Sequence, residues 1–267
     1  MDNLTDSLKA IAISFSRALA SNPEFYRSLS IFLNNDALSD QLEDLCDALA
    51  EPDKCNAFKL RLEDEAQKHN WTSLEQGYDL WGKFGWIIDS SIMSYELWQS
   101  CPNSQSLADK LVLSHISKSY FTFLQDRTHY HSTKKQIYAE ACSCFNNRLY
   151  TACASLLISL IDGVLISRQS PNKENKKTGS KAANQITSNL LKESTYNLPG
   201  IFHLELINYK SFINELFKSG NNFVKEPPFI NRNYIHHGMN KRKVLKKDCI
   251  KLFIAYYKTL SYTNRYF

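Results

Sequence analysis

Apolar side chains recur every three or four positions along most of this chain, which is the spacing of one face of an α-helix. Near the start, Leu8, Ile11, Phe15 and Leu19 follow this spacing. No alternating pattern long enough for a strand competes with it. We therefore expect an all-α fold, and the first part of the chain is predicted to form helices over 4–20, 23–32, 36–49 and 53–69.

The same periodicity continues through the rest of the chain, separated by short polar connectors. Gly238 is the position where we expect any bend in the last helix, because glycine tolerates backbone conformations that other residues avoid. Residues 169–181 are polar, basic and rich in turn formers, which predicts a mobile surface loop. The predicted helices run over 106–128, 132–146, 150–167, 182–193, 208–217 and 232–262.

The most apolar stretch, residues 149–166, raises the question of a membrane span. It contains Asp162, and a carboxylate at the centre of a bilayer helix costs about 2.5–3.5 kcal/mol. We therefore interpret it as a helix buried on all sides of a soluble core. The chain opens with Met1-Asp2-Asn3, without the basic region of a secretory signal. Its seven cysteines lack a disulfide framework, and these features together favour a cytoplasmic protein without a membrane anchor.

Charge divides the chain into two parts. Residues 1–120 contain 10 Lys and Arg against 18 Asp and Glu, whereas residues 121–267 contain 22 against 9. We divide the chain into an acidic N-terminal helical region, 1–75, with a regulatory or docking role, and a helical domain over 76–267. The basic part is suited to bind a polyanion. Mutual attraction between the two parts is the alternative explanation.

Residues 229–238, Phe-Ile-Asn-Arg-Asn-Tyr-Ile-His-His-Gly, carry the residues best suited to chemistry. Arg232 stays charged and can grip a phosphate through two parallel hydrogen bonds. The histidines that follow it, His236 and His237, can take and give protons near neutral pH. The spacing alone has little specificity, since nine arginines and seven histidines give about 0.7 matches by chance.

Several segments together resemble the HEPN superfamily, small helical bundles that include many metal-independent ribonucleases. The similarity covers about 80–262 and includes the helix pair 135–165, the Asp162-Gly163-Val164 element and the Gly85-Trp86-Ile87-Ile88 element. The superfamily motif R-x(4–6)-H maps onto Arg232 and His237. Asn233 matches the polar residue that often follows the arginine. The resemblance implies a HEPN-like bundle that forms a homodimer, with RNA lying between the two motifs.

The same resemblance implies roles for the motif residues. His237 would act as general base on a ribose 2′-hydroxyl or as acid on the leaving oxygen, and Arg232 would stabilise charge on the phosphoryl oxygens. The products would be a 2′,3′-cyclic phosphate and a 5′-hydroxyl. Helix geometry leaves His236 open as the partner: if Arg232 is helical, His236 lies about 40° from it around the axis and His237 about 140°.

Asp162 is the second candidate site residue, because an unpaired buried carboxylate is costly and needs a cationic or donor partner. We expect that partner to be Arg232 or a motif histidine. The alternative is a carboxylate at a surface-exposed helix end. Another alternative is that Arg232 only caps the last helix against Asp162, with the histidines as structural polar residues. Nucleic-acid affinity is expected from Lys241, Arg242, Lys243, Lys246, Lys247, Lys251 and Lys258 and from the loop 173–181, which contains Lys176 and Lys177, and base stacking from Tyr234, Tyr256 and Tyr257.

No metal or cofactor is expected, because His129 and His131 lack a third ligand at suitable spacing and no nucleotide-binding fingerprint occurs. We expect an endoribonuclease that acts on tRNA or mRNA as a toxin or anti-phage abortive-infection effector, with an antitoxin or defence-system partner. Two alternatives stay open. One is a catalytically inactive helical interaction module, and the other is a nucleic-acid-binding regulator without chemistry.

Overall fold

The computed structural model describes residues 71–89, 92–93, 97–98, 101–127, 134–169, 175–197 and 200–266. The chain divides into two compact units, Met1–Glu75 with Leu191–Leu204, and Gln76–Leu190 with Glu205–Phe267. The helices predicted before residue 70, His129 and His131 lie outside the described residues. The role proposed for the acidic region therefore stays a prediction.

The described residues are helical and contain no strand, which confirms the all-α class. Sequence and structure agree closely for the two central helices, predicted over 132–146 and 150–167. The α-helices are α1 (Trp71–Lys83), α2 (Gln105–His115), α3 (Lys118–Arg127), α4 (Lys135–Asn146), α5 (Tyr150–Ser167), α6 (Gly179–Asn197), α7 (Gly200–Leu216), α8 (Arg232–His236) and α9 (Lys246–Tyr266).

Helix α5 lies at the centre of the second unit and packs against α4, α8 and α9. The prediction that it is buried on all sides is wrong, because Thr151, Ala152 and Ser159 are exposed. These side chains are small or polar, so their exposure costs little hydrophobic free energy. Among the described residues α5 is the one helix long and apolar enough to cross a membrane by length and composition, and half of it is buried.

The helix predicted over 106–128 is two helices in the structure. Ile116 ends α2 in an extended conformation, with φ −70° and ψ 107°. The Ser117 hydroxyl then accepts a hydrogen bond from the Tyr120 backbone N–H at 3.0 Å, which satisfies a free donor at the start of α3. Helices α6 and α7 also begin earlier than predicted, at Gly179 and Gly200.

The predicted helix over 232–262 is interrupted between His237 and Leu245. Gly238 adopts φ +65°. Its N–H donates to Ile235 O at 3.2 Å and the Met239 N–H donates to Tyr234 O at 2.8 Å. This pair of bonds is a Schellman motif, which ends a helix. The motif helix and the lysine-rich helix are therefore separate elements, so the prediction of one continuous helix is wrong.

A buried polar cluster joins α2, α9 and the segment after α1. The Asp109 carboxylate accepts hydrogen bonds from Trp86 Nε1 at 2.9 Å and Gln105 Nε2 at 2.9 Å. It also accepts from Lys251 Nζ at 2.7 Å and Lys247 Nζ at 2.5 Å. We call these five residues the Asp109 cluster. Because each buried polar group has a partner, the cluster fixes the packing of these elements.

The Lys251 ammonium is held on several sides within this cluster. It donates to Phe84 O at 2.9 Å and lies 4.6 Å from the ring centroid of Trp86. Burial lowers the pKa of Lys251 to about 8, although Asp109 favours its charged form. Burial alone would raise the pKa of Asp109, but the charge of Lys251 and the donated hydrogen bonds outweigh it and the pKa is lowered.

Candidate active site

The short helix α8 begins at the residues that carry the predicted motif. The Asn231 side chain accepts hydrogen bonds from Asn233 N at 2.9 Å and Tyr234 N at 3.4 Å, as an N-cap. Its amide nitrogen donates to the backbone oxygens of Glu215 and Lys218. Asn231 therefore joins the start of α8 to the end of α7 and fixes the position of Arg232.

Two buried residues anchor the chain just before this cap. Phe229 is 4% exposed and Ile230 is 1% exposed. The Phe229 ring lies so close to Gly85 that a Cβ there would come within 2.3 Å of it, and Gly85 has φ +75°. Only glycine fits both the space and the backbone conformation. The Gly85-Trp86 element thus has a packing role beneath the motif.

Arg232 lies beside Asp162 on α5, as predicted. One guanidinium nitrogen is 3.5 Å from Asp162 Oδ2, and another donates to Asn233 Oδ1 at 3.2 Å. Arg232 Nε and Asp162 Oδ1 are buried and have no hydrogen-bond partner among the described residues. The pair is therefore long and incompletely hydrogen-bonded, which leaves donor capacity on the arginine.

His236 shares a face of α8 with Arg232, since Arg232 is the first residue of that helix. Its Nε2 lies 3.4 Å from the carbonyl oxygen of Ser155. A carbonyl only accepts, so Nε2 donates, and Nδ1 is an acceptor when the ring is neutral. Burial lowers the pKa of His236, and the charges of Arg232 and His237 lower it further against the opposing effects of Ser155 and Asp162.

His237 ends α8 and is exposed. Its ring contacts Phe223, with centroids 5.7 Å apart and an interplanar angle of 68°. Among the described residues, none forms a hydrogen bond with its ring nitrogens. His236 is thus the histidine that lies with Arg232 and Asp162, and His237 is the one that faces solvent.

The predicted nucleic-acid-binding residues fall into two groups. The first group pairs with buried carboxylates: Arg242 with Asp248 at 3.0 Å, Lys247 and Lys251 with Asp109, and Lys258 with Asp89 at 3.5 Å. These four side chains serve the fold, and phosphate binding by them would have to compete with buried carboxylates. The other predicted residues are exposed and form no salt bridge with another residue in the described part of the chain: Lys176, Lys177, Lys241, Lys243 and Lys246.

Two of the three predicted stacking residues cannot meet a nucleobase. Tyr234 is 2% exposed and Tyr256 is 0% exposed. Their helical spacing places them in the core, where their rings pack against Phe223 and Tyr138. The sequence pattern did not indicate Phe223 as a site residue, because the four residues before it, Ser-Gly-Asn-Asn, predict only a turn.

The sequence also did not indicate Ser155, because it contributes a backbone oxygen and a backbone group leaves no sequence signal.

Within the described part of the chain, no group of three or more His, Cys, Asp or Glu side chains is arranged to hold a metal ion. Cys142, Cys144, Cys153 and Cys249 are free thiols. Burial raises the pKa of Cys142 to about 11, which disfavours the reactive thiolate.

The arrangement combines a cation with hydrogen-bonding capacity, a half-buried histidine whose neutral form is favoured, and a solvent-facing histidine. These groups can bind an anion such as a phosphate and exchange protons beside it. Comparisons of the chain with protein-family models, curated proteins and solved structures find no match.

Proposed function

We propose that this chain is a metal-independent endoribonuclease of the HEPN type. The observation that carries the proposal is that Arg232 and His236 on α8 lie beside Asp162 on α5, with His237 exposed next to them. Arginine and histidine together supply a phosphate clamp and an acid/base group. The motif resemblance supports RNA as the substrate, since it connects this residue pair with ribonucleases.

In the proposed reaction the ribose 2′-oxygen attacks the adjacent phosphorus and the 5′-oxygen leaves. His237 exchanges the protons, because its exposed ring can reach a large substrate. Arg232 holds the phosphoryl oxygens through the second N–H of each terminal guanidinium nitrogen, because its contacts to Asn233 and Asp162 use one N–H of each. Asp162 and Asn233 act as positioning residues for the arginine. His236 keeps a neutral ring next to the phosphate position.

The proposed setting is a cytoplasmic homodimer that cuts tRNA or mRNA as a toxin or anti-phage abortive-infection effector. The exposed lysines support polyanion binding: Lys176, Lys177, Lys241, Lys243 and Lys246. An antitoxin or a defence-system component would restrain the activity. The acidic region 1–75 would serve regulation or docking.

The test is cleavage of end-labelled RNA by purified protein in the presence of EDTA. We expect 2′,3′-cyclic phosphate and 5′-hydroxyl ends, and no cutting of the matching DNA, which lacks the attacking 2′-hydroxyl. Arg232→Ala and His237→Ala should each lower the rate about 10²- to 10⁴-fold. His236→Ala, assayed in parallel, distinguishes the two histidines, because the larger loss identifies the residue that transfers the proton.

His115→Ala is the matched control, since His115 is exposed on α2 and should leave the rate unchanged. Circular dichroism verifies that each variant is folded. Equal cleavage by the wild type and the folded Arg232→Ala/His237→Ala double variant would refute the proposed reaction and point to a contaminating nuclease.

A second candidate is a helical interaction module without catalysis. The contact between Arg232 and Asp162 favours it, because such a pair also serves to hold α8 on α5. In that case Arg232→Ala would lower stability and the binding of a protein partner, while RNA stays intact in every preparation.

A further inference from the structure

The turn that precedes the motif brings an aromatic ring to the exposed histidine. Phe223 closes the turn Asn221–Phe223 and is half-buried. Its ring lies 5.1 Å from that of Tyr234 and 5.7 Å from that of His237, measured between centroids. Tyr234 is buried and His237 is exposed, so the Phe223 ring extends from the core to the surface beside the candidate active site.

This turn has an unfavourable backbone conformation. Asn222 has φ 54° and Phe223 has φ 58°. The left-handed region is tolerated by asparagine, but it costs a bulky residue about 1–2 kcal/mol. Phe223 N donates to Gly220 O at 2.7 Å, and the Tyr234 hydroxyl donates to the same oxygen at 3.3 Å. The surrounding contacts therefore hold Phe223 in a conformation that its own side chain disfavours.

The surface around this ring is apolar at its centre and basic nearby. Val224, the next residue, is 78% exposed, and Met239, two residues after His237, is 43% exposed. Glu226 accepts hydrogen bonds from the backbone N–H groups of Lys241 and Arg242 at 2.8 and 3.0 Å. This contact brings the segment with exposed Lys225 next to the segment with exposed Lys241. An apolar aromatic surface flanked by cations fits a base attached to phosphates.

We propose that Phe223 and His237 form a stacking site for one unpaired base of single-stranded RNA, next to the phosphate held by Arg232. The proposal rests on the proposed function and names its substrate as single-stranded RNA. A base paired within a duplex has both faces covered by its neighbours, so duplex RNA cannot offer a ring face to Phe223. Every base has a π face, so the site distinguishes single-stranded from double-stranded RNA more than it distinguishes one sequence from another.

The test measures binding without cleavage. The probe is a short 2′-O-methyl RNA oligonucleotide, which lacks the nucleophilic hydroxyl, with 2-aminopurine as a fluorescent base. We expect Phe223→Ala to weaken binding of the single strand about 5- to 100-fold and to abolish quenching of the base. Phe223→Trp should retain both. Affinity for the same sequence as a duplex should be weaker and should change less than twofold in Phe223→Ala.

Phe223→Leu is the second variant, because it keeps apolar volume for packing against Tyr234 but has no π face; it should lose quenching as Phe223→Ala does. Leu107→Ala, at an exposed leucine of α2, is the control for loss of an apolar side chain. Wild-type affinity and wild-type quenching in folded Phe223→Ala and Phe223→Leu would overturn the stacking site.

The two proposals fail in different ways. Cleavage of RNA together with wild-type binding by Phe223→Ala would refute the stacking site and leave the ribonuclease proposal in place. Binding that depends on Phe223, in a protein that never cuts unmodified RNA, would refute the ribonuclease proposal and retain the stacking site.

Discussion

Two carboxylates of this protein meet basic side chains, and they do so in opposite ways. Asp109 is 5% exposed and accepts four hydrogen bonds, from two lysines, a tryptophan and a glutamine. Asp162 is 8% exposed and makes a single contact to Arg232 at 3.5 Å, while its second oxygen has no partner among the described residues. Both oxygens of Asp109 therefore accept hydrogen bonds, whereas one oxygen of Asp162 accepts none from a described residue.

The difference separates a structural site from the site that we propose to be catalytic. A satisfied buried network has one arrangement, because any movement breaks several hydrogen bonds at once. A single long ion pair at the start of a short helix leaves N–H groups of the guanidinium unused, so a second anion can bind the arginine without displacing Asp162. The Asp109 cluster therefore fixes α2 and α9, whereas the Asp162–Arg232 pair leaves the guanidinium available.

The largest expected loss of stability follows a substitution in the Asp109 cluster. Asp109→Asn removes the charge that balances buried Lys251 and should lower the free energy of unfolding by about 3–5 kcal/mol. Urea denaturation followed by circular dichroism measures it. Lys110→Gln, at the exposed neighbouring residue, should change the free energy by less than about 0.5 kcal/mol. A similarly small change for Asp109→Asn would show that the cluster is not what holds these helices.

The next effect concerns pH. The pKa of Lys251 is about 8 in the folded protein against an ordinary value of 10.5, so the folded state releases this proton first. The cost of burying the charge is fully present below pH 8 and disappears as the pH rises towards 10.5. Relative to Lys251→Met, the wild type should gain about 1 kcal/mol of stability per pH unit in this window. Urea midpoints at pH 7.5, 8.5 and 9.5 for both proteins test this, and parallel curves would contradict it.

The smallest effect is expected at Asp162. Asp162→Asn keeps the shape of the side chain. It loses one long ion pair but also removes a buried charge that has an unpaired oxygen, so the free energy of unfolding should change by less than about 1 kcal/mol. RNA cleavage should fall about tenfold through a lower kcat, because the guanidinium loses its orientation. A loss of stability as large as that of Asp109→Asn would remove the contrast between the two sites and favour the interaction module.

The all-α class and the bounds of α4 and α5 were predictable because local periodicity determines them. The pairing of Asp162 with Arg232 was predictable for a different reason: a carboxylate in an apolar helix needs a cation or a donor, and the motif segment offered Arg232 and its histidines as the expected partners. The end of α8 was predictable only in part. Gly238 indicated where the helix could bend. The two capping hydrogen bonds that end the helix there depend on the three-dimensional course of the chain.

The Asp109 cluster could not be predicted from the sequence. Lys251 is separated from Asp109 by 142 residues, and a lysine in a lysine-rich helix resembles any solvent-facing lysine. Its burial follows from the tertiary packing of Trp86 and Phe229 around it. Phe223 was hidden for a related reason, since its exposure beside His237 depends on a backbone conformation that phenylalanine rarely adopts.

The stop at Gly238 also makes the C-terminal part of the chain modular. Helix α8 ends with its own capping bonds, and α9 starts with its own, because the Asp248 carboxylate accepts from the Leu245 N–H at 2.8 Å. The backbone hydrogen bonds of α8 therefore do not continue into those of α9. A designer could therefore exchange the sequence of α8 for that of another capped helix, and α9 would keep its lysine pairs with Asp109.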